Sequence, residues 1–416
     1  MKKFTQFLQD KLIPIANKFA KLSFMIVLRN SIMIIVPLMI LGAVGTFMTN
    51  IPFESLAKMV APTAPFFGAL ATVTSNVAGL VLAISIGYFT AQHYKLDPVY
   101  GIVASMSSFF AATLTPEWTI NIETFGASGM FTAIMVGYLG VYTLHLCKKY
   151  HIEIKMPKGV PPMVASSFSV ILSIGIALAI ILVIRIGLNF DINVGIINLV
   201  SPIAKGLNTL PGLLLYSALA SLLFVCGVNP AVILGFLVPV YSLNSEINAA
   251  AVAAGQLPNQ FLTWGMHIFM CLGGTGATIG LTILSIFSKA KVHKTLGKIS
   301  ILPGAFNINE PMIYGFPIIF NPLMIIPFVF VPMINIISTW LLMNANIIGR
   351  AYVDIPWTTP PIFNGFLMTG GDIRAALWSG VLVLISIVCY YPFFKIAEKE
   401  ELQKEKLELA NQGEDL

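Results

Sequence analysis

From Ile299 to Gly349 the chain carries one acidic or basic residue, Glu310. A charge held at membrane depth costs several kcal/mol, so it faces a cavity and marks function. A carboxylate accepts hydrogen bonds from ligand hydroxyls, and can also carry a proton. Pro303-Gly304, Asn307, Asn309, Pro311, Gly315, Pro317 and Asn321-Pro322 crowd around it. A lipid-exposed helix would not tolerate so many breakers and amides, because irregular backbone survives there only inside protein or against a water-filled cavity. The simplest expectation is a re-entrant hairpin lining a binding site. The plainer alternative is an interfacial loop continuous with Lys289–Lys298.

Two further segments could meet a polar ligand. Gly273-Gly274-Thr275-Gly276-Ala277-Thr278 lacks the spacing of a dinucleotide fingerprint and follows no strand. Close helix packing through small residues such as Gly276 and Gly280 accounts for it better, although a helix start there would offer N–H groups to a ligand. The second segment runs from Trp357-Thr358-Thr359-Pro360-Pro361 to Gly370-Gly371-Asp372 and must turn twice. Hydroxyls, amides and an aromatic beside a turn suit a neutral, polyhydroxylated ligand. Trp118, Trp264, Trp340 and Trp378 are expected in the interfacial aromatic belt.

The elements that must position these residues are set by composition. Of 416 residues, 57% are hydrophobic and 10% charged, whereas a soluble domain carries about a quarter charged residues. Too little charge remains to cover a soluble globule, which excludes soluble domains, disordered chains and nucleic-acid binders. Apolar runs long enough to span a bilayer recur, among them Asn30–Phe53, Met59–Gln92, Thr124–Cys147, Gly159–Ile184 and Ala375–Phe394. The chain is therefore expected to be an all-α polytopic membrane protein of about ten spanning helices, at about 20 residues each. Longer runs carry Pro230, Pro239, Pro317, Pro322, Pro327 and Pro332, and are expected to fold back at such breakers. Met1–Lys21 reads as a Lys-rich surface segment rather than a cleavable signal.

Residues 1–30 hold six basic groups, and Lys148–Lys158 and Lys289–Lys298 hold four each, which is 14 of the 24 in the chain. The positive-inside rule places all three segments in the cytoplasm; both termini are expected there too, which an even count of about ten crossings fits, although the tail's own charge says little about orientation. The net charge of +6 thus follows topology and carries no nucleic-acid signal. The tail Lys395–Leu416 reads as a short solvated helix. Cys147, Cys226, Cys271 and Cys389 are isolated and the five histidines are unpaired, so neither metal nor cofactor is expected. His267 reads as a packed or hydrogen-bonded histidine.

Asn307-Ile308-Asn309-Glu310-Pro311, followed by Gly315-Phe316-Pro317 and Asn321-Pro322, resembles the signature of the membrane IIC component of the bacterial phosphotransferase system, in its lactose/cellobiose/diacetylchitobiose group. Arg29-Asn30-Ser31, Leu96-Asp97-Pro98, Pro161-Pro162, Gly273–Thr278, Lys294–Lys298 and Thr359-Pro360-Pro361 extend the resemblance over nearly the whole chain, in order.

The resemblance implies a IIC-type fold of about ten helices and two re-entrant hairpins. Residues 1–190 would form a dimerisation scaffold, 191–394 a sugar-binding transport region and 395–416 a cytoplasmic tail. The implied partners are a β-linked disaccharide, a phosphorylated cytoplasmic IIB protein, the lipid bilayer and a second copy of the chain. Glu310 would contact sugar hydroxyls, with Asn307 and Asn309 shaping its hairpin and Thr275, Trp357 and Thr359 completing the binding set. No phosphoryl-donor residue is expected in this chain; the donor belongs to IIB. In one respect the sequence departs from the family: Asn229 stands where a histidine usually lies, and an amide cannot accept a proton as imidazole does. That departure keeps a non-transporting sugar sensor in view, and a proton-coupled sugar transporter using Glu310 is the other alternative.

Overall fold

The computed structural model describes residues 14, 18, 21–49, 58–157, 159–225, 231–316, 318–319 and 321–414. Most of the surface segment expected over Met1–Lys21 lies outside these residues. Among those described there is no β-sheet, only an isolated bridge between Leu114 and Ile120. The helices in the first part of the chain are α1 (Ser23–Thr49), α2 (Ala64–Ser75), α3 (Ala78–His93), α4 (Pro98–Ala112), α5 (Met130–Lys149) and α6 (Pro162–Leu182). They are followed by α7 (Ile192–Leu207), α8 (Leu210–Val225), α9 (Ala231–Ala253), α10 (Trp264–Met270) and α11 (Ile279–Ile286). The last are α12 (Lys291–Ala305), α13 (Glu310–Gly315), α14 (Pro322–Asn344), α15 (Phe363–Met368) and α16 (Ile373–Glu414).

An all-helical chain is what hydrocarbon demands, because each span must satisfy its own backbone groups. Among the described residues, Lys58–His93, Ala127–Lys149, Val164–Gly187, Pro322–Asn344 and Ile373–Leu407 are each long and apolar enough to cross a membrane. The pair α7 and α8, bent by 91°, makes a sixth if counted as one span. Helix starts follow local chemistry: Asp97 caps α4 by accepting from the Val99 N–H at 2.9 Å, and Asn321 caps α14 through Leu323 at 3.0 Å. Small residues bring α3 and α4 together. A Cβ on Gly87 would stand 2.7 Å from the Gly101 carbonyl oxygen.

The prolines do not all act as breakers. Pro239 lies inside α9, and Pro327 and Pro332 lie inside α14. Each removes a single helical hydrogen bond, which neighbouring structure absorbs in a packed membrane helix. Direction changes instead near Asn208-Thr209, between α7 and α8, and ahead of Asn321-Pro322 at the start of α14.

One other expectation needs correction. The tail is not a separate solvated helix: α16 runs unbroken for 42 residues from Ile373. Glu398 on it is buried, accepting from the Ser288 hydroxyl at 2.9 Å and the Lys289 N–H at 2.7 Å, with Lys395 at 2.7 Å on its other oxygen. Trp264 and Trp378 are half-buried and packed against the core. Trp264 stacks on His267 with centroids 5.2 Å apart, and Trp378 donates to the Thr339 hydroxyl at 2.9 Å.

Asn248, fully buried, braces the segment before the last pair of helices. It accepts from the Gln260 N–H at 2.9 Å and donates to the Gln260 and Ala351 carbonyls, each at 2.9 Å. Arg350 lies 4.5 Å over the Phe261 ring and donates to the Pro258 carbonyl. Together these contacts fix how residues 345–362 approach the middle of the bundle.

Candidate functional site

Three interrupted segments converge. The first is the break between α10 and α11. Thr263 caps α10, and the chain then turns through Gly273 (φ +78°), Gly274 (φ +91°) and Gly276 (φ +85°) before α11 begins. Gly273 and Gly274 occupy backbone that L side chains rarely adopt. A Cβ on Gly274 would also stand 2.3 Å from the Asn309 side chain. Small residues further seat the break against α14 and α16, as the sequence suggested. Gly276 faces the Phe328 ring, and a Cβ on Gly280 would meet the backbone at Ser386 and Ile387 at 2.4 Å. Tyr390 donates to the Gly276 carbonyl at 2.7 Å, and Ser386 donates to that of Ala277 at 2.6 Å.

The second segment is the hairpin of α12 and α13, as the Pro/Gly/Asn cluster predicts. Its turn places Asn307 at φ +61°, a conformation asparagine tolerates better than most residues. Asn307 is buried, and its amide is fully used. Oδ1 accepts from the Gly273 N–H at 2.7 Å, while Nδ2 donates to the Trp357 carbonyl at 2.6 Å and the Thr359 carbonyl at 3.1 Å. Asn309, also buried, donates to the Thr275 carbonyl at 2.8 Å and the Thr278 hydroxyl at 2.9 Å. Thr278 in turn donates to the Gly273 carbonyl at 2.7 Å.

The third segment, residues 345–372, brings Trp357 and Thr359 to the same place and returns through α15. The Thr359 hydroxyl donates to the Pro356 carbonyl at 2.7 Å. At the outer end of this segment Asp372 accepts from the Gly349 N–H at 2.7 Å and pairs with Arg374 at 2.9 Å. Burial works against ionisation of Asp372. The Arg374 guanidinium and the two backbone N–H groups outweigh it, so its carboxyl titrates below the usual range.

Six of the seven residues singled out in the sequence therefore belong to this junction; Asn229 lies outside the described residues. They divide by what remains available. Asn307 has no free polar group, Asn309 keeps only Oδ1, and the Thr359 hydroxyl is committed. Glu310, at the start of α13, is exposed, and its carboxylate meets no partner among the described residues. The Thr275 hydroxyl and the Trp357 indole N–H are likewise unpartnered and half-buried. The junction thus offers a carboxyl group, a hydroxyl, an amide oxygen and an indole donor beside an aromatic face. That donor set suits a ligand dense in hydroxyl groups. Sequence reasoning missed Thr278 and the α16 hydroxyls of Ser386 and Tyr390. Thr278 stood inside the glycine-rich motif; Ser386 and Tyr390 sit in an apolar run with no local signal. His267 does not join this set: its Nδ1 meets the Tyr216 hydroxyl at 2.9 Å in an aromatic cluster with Trp264 and Tyr241.

Five or six apolar spans, with two hairpins that meet at a broken helix, make this a polytopic membrane protein. Residues 29–332 match the family model of the phosphotransferase system, EIIC, and the chain belongs to that family as the membrane permease component of a sugar transport system. It is 31% identical to the lichenan permease IIC component of Bacillus subtilis (strain 168), over 97% of this chain and 96% of that protein. It is 29% identical to the cellobiose-specific EIIC component of Geobacillus stearothermophilus, over 98% and 97%. The crystal structure of ChbC, the IIC component of the N,N'-diacetylchitobiose-specific system, superposes with a TM-score of 0.90 at 27% identity, over 96% of this chain and 99% of ChbC.

Proposed function

We propose that the chain binds a β-linked disaccharide of the cellobiose or β-glucoside type at the junction of the two hairpins, carries it across the membrane, and presents it to a phosphorylated IIB protein. The observation that supports this reading is the unpartnered Glu310 carboxylate at the start of α13, next in sequence to Asn309, whose amide bonds the Thr275 carbonyl as that of Asn307 bonds the Trp357 carbonyl. Glu310 accepts from sugar hydroxyls, Thr275 and Trp357 contribute a hydroxyl and a stacking face, and Asn307, Asn309 and Thr359 hold the frame. In this reading Asn229 adjoins the sugar and orients a hydroxyl without taking its proton.

The remaining architecture follows the same proposal. Residues 1–190 serve as a homodimer scaffold and 191–394 as the transport region. Ten crossings leave both termini and the lysine-rich segments 148–158 and 289–298 in the cytoplasm, in keeping with their charge. The phosphoryl donor resides on IIB.

The test uses vesicles containing the full chain, supplied with phosphoenolpyruvate, the soluble phosphotransfer proteins and a panel of β-linked disaccharides. Accumulation of a disaccharide phosphate that requires IIB is the expected result. Accumulation of unmodified sugar driven by a proton gradient, without IIB, would overturn it in favour of a secondary transporter. If the panel yields no uptake but sugar binds, the chain is a sensor.

A further inference from the structure

A second built site lies far from the hairpins in sequence, at the end of the bundle where α4, α5 and α6 meet. A cavity of about 170 Å³ opens there, lined by Asp97, Tyr100, Lys148, Glu153, Ser169 and Ser173. At about 30 Å³ per water it has room for a small polar group of five or six water volumes. Its wall is constructed. Tyr100 meets the Ser167 hydroxyl at 2.7 Å, and Ser169 donates to the Ser166 carbonyl at 2.8 Å.

Its unused groups are specific. Ser173 is 4% exposed, yet its hydroxyl has no partner among the described residues. The Glu153 carboxylate has none either. Lys148 reaches only the Lys95 carbonyl, at 3.4 Å. Asp97 accepts from the Val99 N–H and keeps its charge unpaired. One cation, two anions and a buried hydroxyl thus share a small cavity without neutralising one another. A simple anion would be repelled by the two carboxylates, and a simple cation by Lys148. A ligand with a phosphate and an ammonium a few bonds apart satisfies both sets.

The flanks favour a lipid as the source. On α6, Val164, Phe168 and Ile171 are exposed at helical spacing, and on α4 so are Val99 and Val103. These apolar tracks start at the cavity end and run along the shorter apolar helix α4 and the spanning helix α6, where acyl chains would lie.

We propose that this cavity binds the phosphoethanolamine headgroup of a zwitterionic phospholipid, its ammonium on Asp97 and Glu153 and its phosphate on Lys148 and Ser173. The full chain in detergent would be titrated with dioleoyl phosphatidylethanolamine, phosphatidylcholine and phosphatidylglycerol, reading native mass-spectrometric adducts and the unfolding midpoint. The first should bind at least about tenfold more tightly, as expected when a charge-assisted hydrogen bond is lost from the other two. Lys148→Gln and Ser173→Ala should weaken it, and Glu153→Gln should erase its advantage over phosphatidylglycerol. Unfolding midpoints without lipid identify any variant that is simply misfolded, and the wild-type lipid comparison stands without variants. Equal binding of all three lipids, unchanged affinity in correctly folded Lys148→Gln, or unchanged selectivity in correctly folded Glu153→Gln, would overturn the proposal. Soluble O-phosphoethanolamine matching the lipid's effect would overturn the lipid source and leave a free phosphorylated amine.

Discussion

Asn307 and Trp357, fifty residues apart, are joined by a 2.6 Å hydrogen bond from a side-chain amide to a main-chain oxygen. The same amide reaches Gly273 at 2.7 Å through its other end. One buried side chain therefore sets the separation of the two hairpins and the broken helix, and the exposed Glu310 carboxylate is presented within that frame.

Asn307→Asp keeps the acceptor for Gly273 but removes the donor to Trp357 and Thr359. Leaving those carbonyls unsatisfied costs about 1–3 kcal/mol before the added buried charge is counted. A lowered unfolding midpoint in detergent, with faster hydrogen exchange across residues 355–362, is the expected outcome. Unchanged exchange there would show that the bond does not brace the second hairpin.

Glu310→Gln deletes a charge with almost no change in volume. The group is exposed and touches no partner, so stability should shift by no more than about 0.5 kcal/mol, as for other surface changes. Sugar uptake should be lost while membrane insertion and detergent stability remain. Wild-type uptake by the variant would remove Glu310 from the site.

Gly274→Ala places a methyl 2.3 Å from the Asn309 amide at φ +91°. Strain and a displaced Asn309 together should lower the unfolding midpoint and abolish uptake. Gly206→Ala, where a Cβ would meet nothing within 4 Å, serves as the control and should leave both unchanged.

Much of this junction was legible because membrane chemistry is unforgiving. A lone charge, paired amides and clustered prolines have few uses in hydrocarbon, so Glu310, Asn307 and Asn309 stood out from composition alone. Their separate roles did not, since nothing in residue type says whether an amide faces a ligand or a neighbouring carbonyl. Prolines misled for a related reason: a packed bundle absorbs Pro327 and Pro332 inside one helix, and no local rule reports the packing. Glu398 looked like a solvated tail residue because its partners, Ser288 and Lys289, lie more than a hundred positions away.

The Gly349–Asp372–Arg374 clasp should be acid-sensitive. The Asp372 carboxyl titrates below its ordinary range in the folded chain, so its contribution is complete above the unfolded value near pH 4 and is lost as pH falls through the lower folded value. Proteolysis at Arg350 should accelerate below about pH 4, and Asp372→Asn should be fast already at pH 7. Identical pH profiles for the two proteins would exclude the clasp as the cause.

Replacing Glu398 by Ala should free the Ser288–Lys289 turn and speed tryptic cleavage at Lys289 and Lys291, which are already exposed. The loss of two hydrogen bonds to a buried carboxylate is worth about 2–3 kcal/mol locally. Unaltered cleavage would mean that packing alone holds the turn.

Helix α16 gives the two hairpins a common carrier. Its 42 residues make a rod roughly 60 Å long at 1.5 Å per residue. Asp372 clasps the second hairpin just ahead of its first turn, Ser386 and Tyr390 grip the broken helix midway, and Glu398 fastens the turn that starts the first hairpin. A lever fixed at three points cannot shift one attachment and leave the others behind. In the proposed reading, displacing one hairpin would therefore pull on the other through the same helix, so the two halves of the sugar site would shift together.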